Sequence, residues 1–336
     1  MGETVLVTGG TGYVGGWAIV ALLERGYDVR TTVRSLEKAD AVRAAVGASE
    51  RLEFAAADLT KDAGWDDAML GVDYVLHVAS PLGDETSTDA DALIIPARDG
   101  ALRVLKAATR AGVKRVVMTS AANAASPTSY KEDSVTDETL WTVDDPSLPA
   151  YRRSKTLAEK AAWDFMAGYD GPTELTTVLP GAVFGPILTA NNVGTTQIIQ
   201  RMLTGKMPGT PKIGLEVVDV RDLVDLHIRA MVSPEAGGQR FLGTGEFAWM
   251  RDIATALKTK LGDQAKSVST RQLPNFVVRL ASISDPALKA ITISLGRRSR
   301  HSTAKAERVL GWTARPAAQT VVECAESLIA HGVVKS

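Results

Sequence analysis

Tyr151 and Lys155 stand four residues apart in Pro149-Ala150-Tyr151-Arg152-Arg153-Ser154-Lys155-Thr156-Leu157-Ala158-Glu159, a strongly helical stretch, so their side chains share one helix face. A phenol with its ordinary pKa of about 10 is a poor acid–base group near neutrality, and a neighbouring ammonium favours the phenolate. The pair is candidate machinery for passing a proton to or from a reacting oxygen. A surface Tyr and Lys on an amphipathic helix would look the same in isolation. What gives the pair weight is its place after a fifth strand.

The elements that must position it begin at the N-terminus. Thr4-Val5-Leu6-Val7 is a short β-branched, apolar run of the kind that forms a buried strand, and it breaks into Thr8-Gly9-Gly10-Thr11-Gly12-Tyr13-Val14-Gly15. A helical pattern from Trp17 to Arg25 follows and stops at Gly26. In such a strand–turn–helix unit Gly9 permits the tight reversal, Gly12 lets the backbone approach a pyrophosphate, and Gly15 lets helix pack on strand. The positive helix end then faces the phosphates. This predicts dinucleotide binding rather than an ordinary glycine loop.

Asp28 to Arg34 reads as the second strand. In a fold that binds NAD its end carries an Asp or Glu for the ribose 2′-hydroxyl, yet no carboxylate stands between Arg30 and Leu36. Arg34, with Ser35 beside it and Lys38 one turn on, suits a 2′-phosphate, so NADP is predicted over NAD. Leu52 to Ala57 is a third strand. Asp58, at its end before Leu59, would accept from an adenine amino group or cap the next helix. Val72 to Ala79 is a fourth strand, closing in Ser80-Pro81, with His77 read as a satisfied interior residue. Ile94 to Gly112 reads as a helix and Lys114 to Ser120 as the fifth strand. The β-α alternation predicts an α/β fold with a doubly wound parallel sheet. The polar, turn-rich stretch Ala122 to Leu148 is a candidate active-site loop. Leu175 to Leu179 is a sixth strand, Glu216 to Asp222 a strand entering a helix, and Arg240 to Gly243 a late strand. The expected organisation is a Rossmann domain over 1–180 and a smaller substrate-binding lobe over 181–336. Segments around 215–245 are expected to return to the first domain.

The 336 residues are 45% hydrophobic and 23% charged, with a formal net charge of −1, which gives no reason to invoke nucleic acid or an anionic membrane as partner. Cys324 is the only cysteine, so no intrachain disulfide can form, and its helical context predicts a packed thiol. No apolar run reaches bilayer length and no room for a cleavable signal precedes the first strand, so a soluble, cytoplasmic protein is expected. Arg297 to His301 is the only basic run, read as a loop near an anion or a solvated face. No metal-ligand spacing is present.

Taken together, Thr8 to Gly15, Arg34, Asp58-Leu59, His77-Val78-Ala79-Ser80-Pro81, Tyr151 to Lys155, Leu179-Pro180-Gly181 and Asp219-Val220-Arg221-Asp222 resemble the extended short-chain dehydrogenase/reductases. The branch they resemble is the dihydroflavonol reductase, cinnamoyl-CoA reductase and microbial aldehyde/ketone reductase group. The resemblance runs from Val5 to about Ile329 and includes the tail Lys305 to Trp312. It implies a Rossmann fold with a C-terminal substrate lobe, and hydride transfer from NADPH to a small-molecule carbonyl. Tyr151 would protonate the developing alkoxide, and Lys155 would hold the nicotinamide ribose and lower the tyrosine pKa. The implied cofactor set adds Thr11, Tyr13, Val14, Leu59, Val78, Ala79, Ser80, Thr119, Pro180 and Val183 to the glycines, Arg34, Lys38 and Asp58.

Relatives in this branch read Thr-Ser-Ser at the end of the fifth strand, the second serine polarising the carbonyl. This chain reads Thr119-Ser120-Ala121-Ala122-Asn123, which puts Ala121 at that position. Ser120 is the candidate replacement if a bulge re-aims it, since strand alternation points it the other way. Otherwise Asn123 or a water supplies the donor. Trp141, Phe184 and Phe276 are candidate apolar walls or core, within segments Pro81–Ala92, Ala122–Leu148, Val183–Thr196 and Phe276–Arg300 expected around a substrate. The wider family also contains nucleotide-sugar epimerases and dehydratases and non-catalytic NADP-binding sensors. Monomer and homodimer are both open.

Overall fold

The computed structural model describes residues 2–81, 89–128, 133–191, 194–283 and 291–334. Residues 82–88, 129–132, 192–193 and 284–290, which belong to the segments expected around a substrate, lie outside them.

β1 (Thr4–Val7) is an unbroken apolar run because it is covered on both faces: Val5, Leu6 and Val7 are wholly buried. α1 (Tyr13–Glu24), β2 (Asp28–Val33), α2 (Ala39–Val46), β3 (Leu52–Ala56), α3 (Trp65–Met69), β4 (Tyr74–His77), α4 (Asp91–Ala111) and β5 (Arg115–Thr119) continue the alternation. After β6 (Ser134–Thr136) come α5 (Ala150–Ala167), β7 (Glu174–Pro180), β8 (Ala182–Phe184), α6 (Thr196–Leu203), β9 (Gly214–Asp219), α7 (Val220–Val232) and β10 (Arg240–Gly243). β11 (Glu246–Trp249), α8 (Met250–Leu261) and β12 (Ser299–His301) complete the labelled elements.

Seven strands form one parallel sheet in the order β10-β7-β5-β4-β1-β2-β3. The order reverses between β1 and β4, and the crevice beyond the strand carboxyl ends at such a point is where doubly wound sheets take ligands. One face is closed by α1, α7 and the tail residue Trp312, around Ile19, Leu22, Leu223 and Leu226. The other is closed by α3, α4 and α5, around Trp65, Val104, Leu105 and Ala162. The fold is the expected doubly wound α/β arrangement.

A second sheet, β11-β9-β8, packs with α6, α8 and the helix Ala317–Ala330 around its own core, which includes Phe184 and Cys324. Burial pushes the Cys324 thiol up to about 12, so it is a packed, unreactive group. The basic run forms β12, which pairs in parallel with β6. β8, β11 and this ribbon carry no separate signal in the sequence, being three or four residues long.

The turn after β1 is built on two glycines. Gly9 has φ +74°, a backbone region that L side chains rarely adopt. A Cβ on Gly15 would lie 2.3 Å from the Gly9 carbonyl oxygen, so α1 can seat on the turn only without one. Among the described residues no helix is long and apolar enough to cross a membrane.

Candidate active site

One large cleft of about 1290 Å³ opens along the carboxyl ends of the parallel strands. That exceeds the roughly 300–1,000 Å³ of a site for a single drug-sized ligand. All the candidate catalytic and cofactor-binding residues except Lys38 line it. Lys38 ends an exposed turn, Leu36–Lys38, in which the Ser35 hydroxyl accepts from the Glu37 amide. Lys38 is exposed four residues beyond Arg34, which lies on the wall, itself exposed and in no salt bridge with any described residue.

At the centre of the cleft the first turn of α1, starting from Gly12, presents backbone N–H groups without intrahelical acceptors. Tyr13 contributes through its place in that turn. Its phenol donates to the Gly185 carbonyl at 2.8 Å, and burial raises its pKa well above the usual value. Trp17 ties the same helix to the Pro186 carbonyl, also at 2.8 Å. At the β3 end, one carboxylate oxygen of Asp58 accepts from the Thr60 amide and hydroxyl, and the Thr60 amide is the main reason its pKa is lowered. Asp58 thus holds a local turn and also lines the cleft.

Several hydroxyls near the strand ends are engaged inside the protein. Thr8 accepts from the Ala79 amide at 3.0 Å and lies 2.9 Å from Nδ1 of His77. Burial pulls the His77 pKa down to about 3, so the ring is neutral and shares one hydrogen bond with the Thr8 hydroxyl. This is the satisfied interior histidine the sequence suggests. His227 donates from Nδ1 to the Leu223 carbonyl, since a carbonyl can only accept, and burial lowers its pKa to about 4. Its Nε2 therefore accepts from the Thr119 hydroxyl at 2.7 Å. Ser120 donates to Glu159 at 2.6 Å. A serine has a single proton to give, so Ser120 is corrected from candidate carbonyl donor to a buried structural partner. Strand alternation wins: no bulge re-aims it.

Tyr151 and Lys155 both line the cleft from the N-terminal half of α5. Tyr151 is 45% exposed, whereas Lys155 is buried and burial alone lowers its pKa to about 8. The difference follows from position: α5 starts at the cleft edge and then runs against α4. Val78, Ala79, Ser80, Pro180 and Val183 complete the wall on either side of them. This arrangement can hold a long anionic ligand on the glycine turn and set an ionisable phenol beside a second, smaller space.

That space departs from expectation. Trp141 stacks under Arg240 at 3.6 Å, Phe184 is core, and Phe276 is exposed; none of them lines the cleft. Ile213, Leu215, Phe247, Ile291 and Ile293 supply the apolar wall instead. Glu216 and His301 also line it, as a buried hydrogen-bonded pair in which the carboxylate also accepts from the His301 amide. Sequence reasoning missed this pair because its members lie on different sheets, with only the basic run as a hint. Among the described residues no cluster of three or more His, Cys, Asp or Glu could hold a metal ion.

The chain has relatives among known proteins. Over 275 residues the chain is 37% identical to dihydroflavonol 4-reductase of Arabidopsis thaliana, covering 77% of this chain and 69% of that one. It is 35% identical over 246 residues to cinnamoyl-CoA reductase 1 of Petunia hybrida, covering 71% and 72%. Its fold is similar to that of yeast methylglyoxal/isovaleraldehyde reductase Gre2, solved with NADPH, at a TM-score of 0.80 and 25% identity over 98% of this chain and 99% of that one. Residues 5–242 match the NAD dependent epimerase/dehydratase family, and the chain belongs to that family, in the extended short-chain dehydrogenase/reductase branch of the dihydroflavonol and cinnamoyl-CoA reductases.

Proposed function

We propose that this protein is an NADPH-dependent carbonyl reductase that converts an aldehyde or ketone reversibly to the alcohol, with Tyr151 as general acid. The observation that carries the reading is the placement of Tyr151 and Lys155 in one cleft with the glycine turn and Arg34. The reductase names of the relatives in this branch support it. The lobe built on β8, β9 and β11 is proposed to receive the substrate, because its Leu215 and Phe247 form the apolar wall.

The residues present fit a phosphorylated dinucleotide. The α1 N-terminus and the Gly9 turn would hold its pyrophosphate, Arg34 its 2′-phosphate, and Lys155 its nicotinamide ribose. When bound, the cofactor supplies the hydride. Tyr151 gives its proton to the carbonyl oxygen as negative charge builds there, and its exposure lets solvent replace that proton. The Lys155 ammonium favours the phenolate left behind. The apolar wall excludes water from the reacting carbonyl.

The test is loss of NADPH absorbance with a panel of aldehydes and ketones, with the alcohol identified as product. A wild-type protein that consumes no NADPH with any of them would sink the reading. For the cofactor choice, Arg34→Asp removes a charge-assisted contact of about 1.5–3 kcal/mol. The expected result is a roughly 10- to 150-fold fall in kcat/KM for NADPH with NADH little changed. Equal losses with both cofactors would mean that Arg34 does not read the 2′-phosphate.

A further inference from the structure

The position where the branch carries its carbonyl-polarising serine is Ala121, a residue that lines the cleft with no side-chain donor. The two hydroxyls before it are committed, Thr119 to His227 and Ser120 to Glu159. Directly after Ala121, the single-turn helix Ala122–Ala125 buries Ala122, Ala124 and Ala125 against Leu179 and Leu242. That packing leaves Asn123 as the turn's one partly exposed side chain, and it lines the cleft. Its backbone is clamped. The Asn123 carbonyl accepts from the Thr142 hydroxyl at 2.6 Å and from Nε of Arg152, the residue after Tyr151, at 3.3 Å. The carboxamide itself makes no hydrogen bond to any described residue. A rigid backbone thus carries an uncommitted N–H donor into the same cleft as the candidate acid.

We propose that the Asn123 carboxamide is a catalytic residue that donates a hydrogen bond to the substrate carbonyl oxygen, in place of the missing serine. The inference rests on the reductase reading. As hydride reaches the carbonyl carbon, the C=O π pair moves to oxygen, and that oxygen takes its proton from the Tyr151 hydroxyl. Asn123 transfers nothing. Its N–H bond to the oxygen strengthens as charge builds, which is how a positioned neutral donor lowers a barrier. A carboxamide serves as well as a hydroxyl here, because it donates at every working pH and its NH₂ group has two protons to offer.

The experiment compares Asn123→Ala, Asn123→Asp and the double variant Asn123→Ala/Ala121→Ser by steady-state kinetics, with NADPH affinity read separately by fluorescence titration. Removal of a donor of this kind costs about 10²–10³ in kcat, and both single variants are expected to show it. Asp matches the Asn shape but offers no N–H at neutral pH, so a merely structural role would spare Asn123→Asp. NADPH affinity is expected to stay within about threefold in all variants, and Ala121→Ser to restore kcat at least about tenfold, within the range of one donor. A single variant that retains kcat, or a loss explained wholly by weaker NADPH binding, overturns the assignment. Failure of the reductase reading looks different: the wild type would then consume no NADPH.

Discussion

Replacing Tyr151 with phenylalanine is expected to lower kcat for carbonyl reduction by about 10²–10⁴, the usual contribution of a positioned general acid. NADPH affinity should hardly change, because the ring remains and only one oxygen is lost. Lys155 makes the same argument testable by pH. Burial lowers its pKa from 10.5 to about 8, so in the free enzyme its positive charge disappears as pH rises through that value. The kcat/KM for reduction is expected to fall on the alkaline side accordingly, since that ratio reports the free enzyme. Stability moves the other way in this window. Between about 8 and 10.5 the unfolded chain holds the Lys155 proton that the folded chain has released, so this group makes folding more favourable as pH rises. Activity lost without unfolding above pH 8 is therefore the signature, and it separates the lysine from general alkaline denaturation. Retention of turnover in Tyr151→Phe would move the proton donor elsewhere.

What the sequence revealed about this site was local. The glycine turn, the missing acid after β2 and the Tyr151–Lys155 spacing each involve residues within one or two turns of chain, where geometry follows directly from periodicity. The β-α alternation likewise gave the sheet, because short connections leave few topologies. Side chains that meet across the fold were not legible. Glu216 and His301 are 85 residues apart, and Trp141 finds Arg240 only because a loop folds back over β10. The stretch Ala122–Leu148 shows the limit well. It reads as an active-site loop, yet only Ala122 and Asn123 of its described residues line the cleft, while Glu138, Leu140 and Trp141 are held by the β10 arginine. Ser120 was decided by alternation together with a partner, Glu159, that periodicity could not name.

That partner belongs to a buried ion pair with Arg240. Glu159 is wholly buried and accepts from the Ser120 and Thr177 hydroxyls at 2.6 and 2.7 Å and from Nε of Arg240 at 2.8 Å. Arg240 also donates to the Glu138 and Leu140 carbonyls at 2.6 and 3.0 Å and lies over the Trp141 ring. Arg240→Leu leaves a carboxylate in the interior without its counter-charge, and breaking a buried pair in this way costs about 3–5 kcal/mol. Urea unfolding is expected to show that loss. The double variant Arg240→Leu/Glu159→Leu should be less destabilised than the sum of the two singles, because the uncompensated charge is gone too. Additive singles, or an Arg240→Leu midpoint close to wild type, would mean the pair is not a structural tie. The consequence reaches the cleft through α5, where Tyr151, Lys155 and Glu159 recur at four-residue spacing along one face. The same carboxylate fixes the end of β5 through Ser120 and a neighbouring strand through Thr177. With this tie cut, the phenol should lose its fixed relation to the strand ends, and kcat for carbonyl reduction should fall even at temperatures where Arg240→Leu remains folded.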